Sequence, residues 1–325
     1  MARVLTWHVH GNYLLYLSRA RHDFFLPVRP DRSHPYGGRA GSFPWPDNLH
    51  EMAVEDVREL DIDAVLYQSK DAWERDRFEL LSDEQRRLPA VYLEHDPPRQ
   101  SAYATRHHVD DPAVLVVHVT HFNELMWDCG EVPTTVVEHG VEVPEDVRWT
   151  GELERGLVIV NNLGPRGRRL GADVFERVRH ELPLDLVGMG SAELGGLGEI
   201  PPPELAAFAA RYRFLFNPIR WTSLGLAVCE ALQVGLPVVG LATTEMSRAI
   251  ENGVCGYVDT DVDALVAHMQ RLLADPAEAS RLSAGARRLG RERCGIERFA
   301  ERWTDVLEQA ARRRAPARPL RSRAA

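Results

Sequence analysis

Lysine is almost missing from this chain: Lys70 stands alone among 39 basic residues in a sequence of 325. Any site that needs fixed positive charge must therefore use arginine, whose planar fork grips phosphate or carboxylate with two hydrogen bonds at once. Cysteine is also sparse. Cys129, Cys229, Cys255 and Cys294 are scattered with no C-x-x-C pair, a spacing that fits neither a zinc ribbon nor a disulfide framework and reads as small buried hydrophobes. No apolar run approaches the ~20 residues a spanning helix requires. The opening Met-Ala-Arg-Val-Leu-Thr-Trp-His has no long apolar centre or small-residue cleavage site, so a cytoplasmic protein is expected. A basic surplus is lacking as well: the net charge is -9 and the pI about 5.8, which argues against a nucleic-acid binder. One local exception is the end from Arg312 to Ala325, with six arginines, two prolines and no acid. Its composition predicts a solvated tail, or one drawn weakly to the anionic inner face of a membrane.

The rest of the chain has the length for two domains of roughly 150 residues. Short β-branched runs alternate with amphipathic stretches, the rhythm of parallel strands joined by crossover helices. Strands are predicted at Val4–Val9, Asp23–Val28, Ala64–Gln68, Ala90–Glu94, Val114–Val119 and Thr134–Val137, with helices near Tyr13–Arg19, Asn48–Leu60 and His121–Met126. A polar segment with Pro144 and Gly151 then interrupts the pattern. After it come strands at Leu157–Asn161, Leu184–Gly188, Tyr212–Asn217, Pro237–Gly240 and Gly256–Val258. Helices are expected at Gly171–Leu182, Pro203–Ala210, Ser223–Val234, Glu245–Glu251, Val262–Leu273 and Ile296–Ala310. The expected class is α/β: two Rossmann-like, doubly wound domains facing across a cleft, residues 1–148 and 149–310, followed by the basic tail 311–325.

The segment from Phe216 to Gly240 carries the most chemistry. A strand ends at Pro218, a helix is expected from an N-cap at Thr222 or Ser223, and Gly235 with Pro237 ends it. A helix that begins at the carboxyl edge of a parallel sheet offers unpaired amides and a positive dipole end to an anion such as a diphosphate. Glu230, two turns on, is placed to accept hydrogen bonds from both hydroxyls of a ribose.

With these residues the resemblance becomes specific. Thr222-Ser223-Leu224-Gly225-Leu226, then Glu230-Ala231, then Gly235-Leu236-Pro237-Val238-Val239 resembles the donor signature of retaining GT-B glycosyltransferases, especially family 4. In that family E-x-F-G-L is followed by E-A and G-x-P-V-V at the same spacing. The stretch Glu245 to Val258 resembles the family's E-x-I-x-x-G-x-x-G-x-L-V. The resemblance implies that Glu230 holds the ribose of a nucleoside diphosphate sugar and that Thr222 stands where the family has an acid for the transferred sugar. Donor contacts from Ser223, Leu224, Gly225 and Leu226 follow from it. A second element, Asn161 to Gly171, is similar to the family's G-R-x(4 to 6)-K-G. The family's Arg falls on Asn162 and its Lys on Arg168 or Arg169, with Arg166 in the same turn, so these are diphosphate ligands by resemblance.

In the first half, Val4 to Ser18 resembles the family's opening strand, glycine turn and helix, with Gly11 letting backbone approach the donor. Asn12 becomes a donor contact by position, and His8, His10 and Tyr13 acceptor contacts. Glu94-His95-Asp96 ends a strand where the family carries a histidine facing the transferred sugar. Thr134 to Glu142 looks like the family's strand ending in P-N-G-V-D, with His139 for the Asn and a further acceptor contact expected there. The implied reaction is sugar transfer, with retention, to the hydroxyl of a carbohydrate, lipid or small-molecule acceptor, with His95, Arg168 and Glu230 carrying it. No metal and no cofactor are expected. Asp61/Asp63 and Asp259/Asp261 superficially match a D-x-D metal site, but capping suffices for them, and His107-His108 and His118/His121 lack companion ligands at convincing spacing. Two alternatives remain open at this point: a sugar-nucleotide epimerase, and a non-catalytic nucleotide-binding partner protein.

Overall fold

The computed structural model describes residues 1–312; positions 313–325, most of the arginine-rich tail, lie outside the described residues. The first sheet is built from β1 (Arg3–Thr6), β2 (Asp23–Val28), β3 (Leu49–Ala53), β4 (Ala64–Tyr67), β5 (Ala90–Glu94), β6 (Leu115–His118) and β7 (Thr134–Val136). Its order is β3-β2-β1-β4-β5-β6-β7, parallel throughout. The second sheet holds β8 (Leu153–Ile159), β9 (Leu184–Val187), β10 (Tyr212–Asn217), β11 (Val238–Leu241) and β12 (Gly256–Asp259) in the order β12-β11-β10-β8-β9, again parallel. The helices are α1 (Gly11–Leu17), α2 (Arg77–Leu80), α3 (His121–Met126), α4 (Leu163–Leu170), α5 (Ala172–Arg179), α6 (Pro202–Ala209), α7 (Leu226–Val234), α8 (Met246–Ala249), α9 (Val262–Ala274), α10 (Pro276–Arg293) and α11 (Ile296–Arg312). None among the described residues is long and apolar enough to cross a membrane.

Strands covered on both faces are mostly apolar, and β4 and β10 are buried along their whole length, with Arg213 and Asn217 the polar members of β10. In β10, Phe214 and Phe216 feed a cluster with α5 and α9, while Leu215 joins a second cluster toward α7. Each such fully buried side chain stabilises the fold by roughly 1.5–3 kcal/mol.

Three elements correct the sequence reading. Residues 48–60, expected as a helix, form the edge strand β3 and a single 3-10 turn, Val54–Glu59. Only Leu49 of that strand is fully buried. His50 packs on the Phe25 ring on one face and Glu51 pairs with Arg32 on the other, so no clean two-residue alternation marks the strand although the backbone is extended. Helix α10 is absent from the expectation although Ala279, Leu282, Ala286 and Leu289 recur along it at helical spacing; small alanines and many arginines make the stripe faint, and Asp275 caps the helix by accepting from the amides of Ala277 and Glu278. Helix α11, assigned by sequence to the second domain, crosses back and packs on α1, β4 and β5 of the first. Its Phe299, Trp303 and Leu307 are the stripe that does so. The two Asp pairs have local duties: Asp63 accepts from the Arg3 amide and Asp61 pairs with the Arg3 side chain, while Asp261 caps α9.

Candidate functional site

The carboxyl ends of both sheets face each other across one cleft with a cavity of about 730 Å³. From the first domain it is lined by the β1–α1 turn (His8, His10, Gly11, Asn12, Tyr13), by His95 and Asp96 after β5, and by His139 after β7. From the second it is lined by Asn161 and Arg166 after β8, by Gly188 and Met189 after β9, and by Thr222, Ser223, Leu224, Gly225, Leu226 and Glu230. Crevices beyond the carboxyl ends of parallel strands are where open α/β sheets bind ligands.

Helix α7 begins later than the sequence suggests. Its N-cap is Gly225, in extended conformation and with no side-chain cap, so neither Thr222 nor Ser223 satisfies the first turn. The preceding loop is anchored elsewhere: Trp221 Nε1 donates to the Pro98 carbonyl at 2.9 Å and its ring meets Phe122 at 5.3 Å, both in the other domain. First-turn amides left without a side-chain partner are groups that can receive an anion. Glu230, one and a half turns further, accepts a hydrogen bond from Tyr16 of the first domain at 3.0 Å. Burial raises its pKa, and the Tyr16 hydroxyl acts in the opposite direction.

The cations are fewer than the ring nitrogens suggest. Burial lowers the pKa of His8, His10 and His95, and that of His139 to about 4, so all four are neutral near pH 7. Of the arginines on the cleft wall, Arg32 pairs with Glu51 at 2.9 Å and Arg99 pairs with Asp96. Arg166 forms no ion pair among the described residues. Arg169 lies close behind: burial, then the charges of Arg166 and Arg99, lower its pKa. Guanidinium groups gathered with one carboxylate favour an anion in their midst.

Residues 154–275 match the family model of the glycosyl transferases group 1. That match places the similarity to group 1 glycosyltransferases in the second domain. No curated protein sequence matches it. Among solved structures, the sucrose-phosphate synthase of Thermosynechococcus elongatus superposes with a TM-score of 0.69 at 15% identity, over 95% of this chain and 99% of that one. Anabaena HepE in complex with UDP and glucose gives 0.69 at 12% identity, over 95% and 100%. A glycosyltransferase from Rickettsia africae gives 0.64 at 11%, over 96% and 99%. The fold is GT-B.

Within the second domain two expected ligands are displaced. Arg168 turns away from the cleft and pairs with Asp173 at 2.6 Å, beside Arg220 at 2.8 Å on the same carboxylate. The cause is Gly167, which adopts φ 54° and ψ -138° and breaks the phase of α4, so that Arg166 and not Arg168 faces the cavity. Asn162 is left-handed at φ 53°, its side chain lies over Gly190, and Asn161 takes the place at the wall. If the cleft takes a nucleoside diphosphate, Arg166→Ala is expected to weaken its binding about tenfold or more, the scale of one charge-assisted hydrogen bond. Arg168→Ala should change it less than about twofold, as for an exposed ion pair; titration calorimetry with nucleoside diphosphates separates the two.

The long β2–β3 connection, for which no role is legible in the sequence, supplies Arg32, His34, Gly37, Ala40, Gly41 and Phe43 to the cavity. Gly11 sits under the Phe43 ring, where a Cβ would clash. A donor-facing role for Gly11 thus competes with this packing role. Its best sequence signal was the cluster of Gly37, Gly38 and Gly41 beside Phe43 and Trp45.

A separate group, Glu94, His107 and His108, has ligand atoms within 4.8 Å of one another. His107 Nδ1 accepts from the Val109 amide at 3.1 Å and its Nε2 faces Glu94 at 3.2 Å. A neutral imidazole that accepts at Nδ1 carries its proton at Nε2, so the nitrogen nearest Glu94 is a donor and not a metal-ligating lone pair.

Proposed function

We propose that this chain transfers a sugar from a nucleoside diphosphate sugar to an acceptor hydroxyl, with retention of configuration and without a metal ion. The observation that carries the reading is the convergence, on one interdomain cleft, of the uncapped start of α7, the unpaired Arg166 and the carboxylate of Glu230. Glu230 takes the ribose hydroxyls; the α7 amides and Arg166 take the diphosphate. The bond between the anomeric carbon and the β-phosphate oxygen breaks with its electron pair leaving on the phosphate, the acceptor oxygen bonds to that carbon while its proton passes to the departing phosphate oxygen, and the negative charge that collects on the β-phosphate meets donors already oriented. Neutral His95 contacts the transferred sugar, and the wall formed by His8, His10, Tyr13 and the β2–β3 connection receives the acceptor. Anabaena HepE, of the same fold, has been solved with UDP and with UDP-glucose, which makes uridine nucleotides the first probes. The acceptor is a carbohydrate, lipid or small molecule, and the basic C-terminal end would favour one presented at an anionic membrane surface.

A thermal-shift screen against UDP, ADP, GDP and their glucose conjugates tests this, because a ligand at 100 times its Kd stabilises by about 2.7 kcal/mol. A rise in melting temperature with one base, followed by transfer from its sugar conjugate, is expected; no shift with any nucleotide would remove the reading. Nucleotide binding with no transfer from any donor would instead assign the chain to non-catalytic nucleotide binders, the alternative favoured by Thr222 in place of an acid.

A further inference from the structure

Gln68 lies just past β4, is 4% exposed, and does not itself line the cleft. Its hydrogen bonds nonetheless determine what His95 offers the cleft. The Leu66 carbonyl can only accept, so the Thr6 hydroxyl donates to it at 2.9 Å. Thr6 Oγ1, its proton committed, accepts from the Gln68 amide nitrogen at 2.8 Å, and that same nitrogen donates to the Trp7 carbonyl at 3.1 Å. Both amide protons are thereby used, and two acceptors independently fix which end of the Gln68 amide is nitrogen. The remaining end, Oε1, lies 3.1 Å from His95 Nε2. An amide oxygen has no proton, so the imidazole must donate, and its proton resides on Nε2. The rings of His10 and Tyr13 stand perpendicular to the His95 ring at 4.6 and 4.9 Å and hold its orientation. Nδ1 has no partner among the described residues, nor does it belong to the buried unsatisfied atoms, so it opens on the cleft.

We propose that Gln68 is a positioning residue that locks His95 in the Nε2–H tautomer, so that His95 presents Nδ1 as a hydrogen-bond acceptor to a free hydroxyl of the transferred sugar. The sugar part rests on the reading of the cleft given above; the tautomer does not. Burial keeps the imidazole neutral, so the acceptor lone pair persists through the neutral range. A donor sugar with a hydroxyl at that position donates to it. A sugar without a donor there leaves a desolvated lone pair unmatched, which costs more than the hydrogen bond itself contributes.

The test uses the full chain labelled with nitrogen-15 in histidine and records long-range proton–nitrogen correlations of the imidazoles at neutral pH. The His95 signals are identified by their loss in His95→Asn. In the wild type Nε2 should be pyrrole-like and Nδ1 pyridine-like; the reverse assignment, or averaging between two tautomers, overturns the proposal. Gln68→Met, similar in size but with no acceptor oxygen, should lose the single-tautomer signature, and Gln68→Glu, which keeps an acceptor opposite Nε2, should retain it. Gln68→Met should still bind UDP within about threefold of the wild type, as expected for a site remote from the nucleotide, and transfer about tenfold more slowly, the scale of one lost hydrogen bond. A Gln68→Met protein with the wild-type signature also overturns the proposal. Should UDP not bind at all, the cleft reading fails while the tautomer result stands.

Discussion

Glu230→Gln is expected to raise the melting temperature of the ligand-free protein near pH 7 while weakening UDP binding by about 10- to 100-fold. Both effects come from one buried carboxylate. Its pKa is raised because burial penalises the charged form, with Tyr16 offsetting part of that cost. The sign follows from linkage: when the folded-state pKa lies above the unfolded one, the folded state binds more protons between them. The stability this gives is complete below the ordinary glutamate value of 4.5 and is lost as the pH rises through the raised pKa. Glutamine has no charge to bury and keeps an oxygen for the Tyr16 hydroxyl, so the variant should gain stability at neutral pH and converge on the wild type as the pH falls toward 4.5. In binding the balance reverses. A carboxylate accepts from both ribose hydroxyls, and each charge-assisted hydrogen bond contributes about 1.5–3 kcal/mol; an amide replaces one acceptor by a donor. The same ionisation makes UDP affinity of the wild type fall as the medium is acidified through that pKa. Calorimetric melting across pH 4.5–8 with UDP titration of both proteins checks this. A variant less stable than the wild type at every pH, or one with unchanged UDP affinity, would remove the role given to Glu230.

Why Glu230 lies at the cleft wall where the residue count places it, and Arg168 does not, comes down to backbone continuity. From Gly225 to Gly235 the helix is regular, so the distance from the anion site to Glu230 follows from counting residues. After β8 the count fails, because one left-handed glycine, Gly167, resets the phase and exchanges Arg168 for Arg166 at the cleft wall. The central strands declare themselves for a related reason: β4 and β10 are buried on both sides and leave short apolar runs, Ala64–Tyr67 and Phe214–Phe216. An edge strand such as β3 is half wet, and its pattern is set by partners distant in sequence, Arg32 to Glu51 and Phe25 to His50. The β2–β3 part of the cleft wall is less legible still. His34 and Phe43 belong to a connection with no periodicity, and only the folded chain brings them over the β1–α1 turn. The start of α10 was readable in principle, since Asp275-Pro276 followed by Glu278 is a capped helix start.

Trp303→Ala should lower stability by about 3–5 kcal/mol, the range for removing a buried aromatic side chain, and this change tests how the two domains are joined. Trp303 is fully buried on α11, and its Nε1 donates to the Tyr13 hydroxyl at 3.1 Å. Thr304 beside it accepts from the Arg21 amide at 3.0 Å, so the last helix is hydrogen-bonded into the first domain although the chain reaches it from the second. Tyr13 is the common member: its ring packs at 5.6 Å on Phe299, 4.9 Å from His95 and 5.7 Å from His139. Removal of the indole leaves a cavity beneath Tyr13 and an unpaired phenol, and the histidines of the cleft lose the surface against which they are oriented. Stability and sugar transfer should therefore fall together, whereas UDP affinity, which depends on α7 and Arg166 in the other domain, should change far less. The melting temperature is expected to drop by roughly 10 °C, from about 2–4 °C per kcal/mol for a chain of this size. Trp303→Phe, which keeps most of the apolar volume and loses only the donor, should lie between the two. If Trp303→Ala melts with the wild type, α11 does not tie the domains together; if it loses UDP affinity as fully as it loses transfer, the nucleotide site is not confined to the second domain.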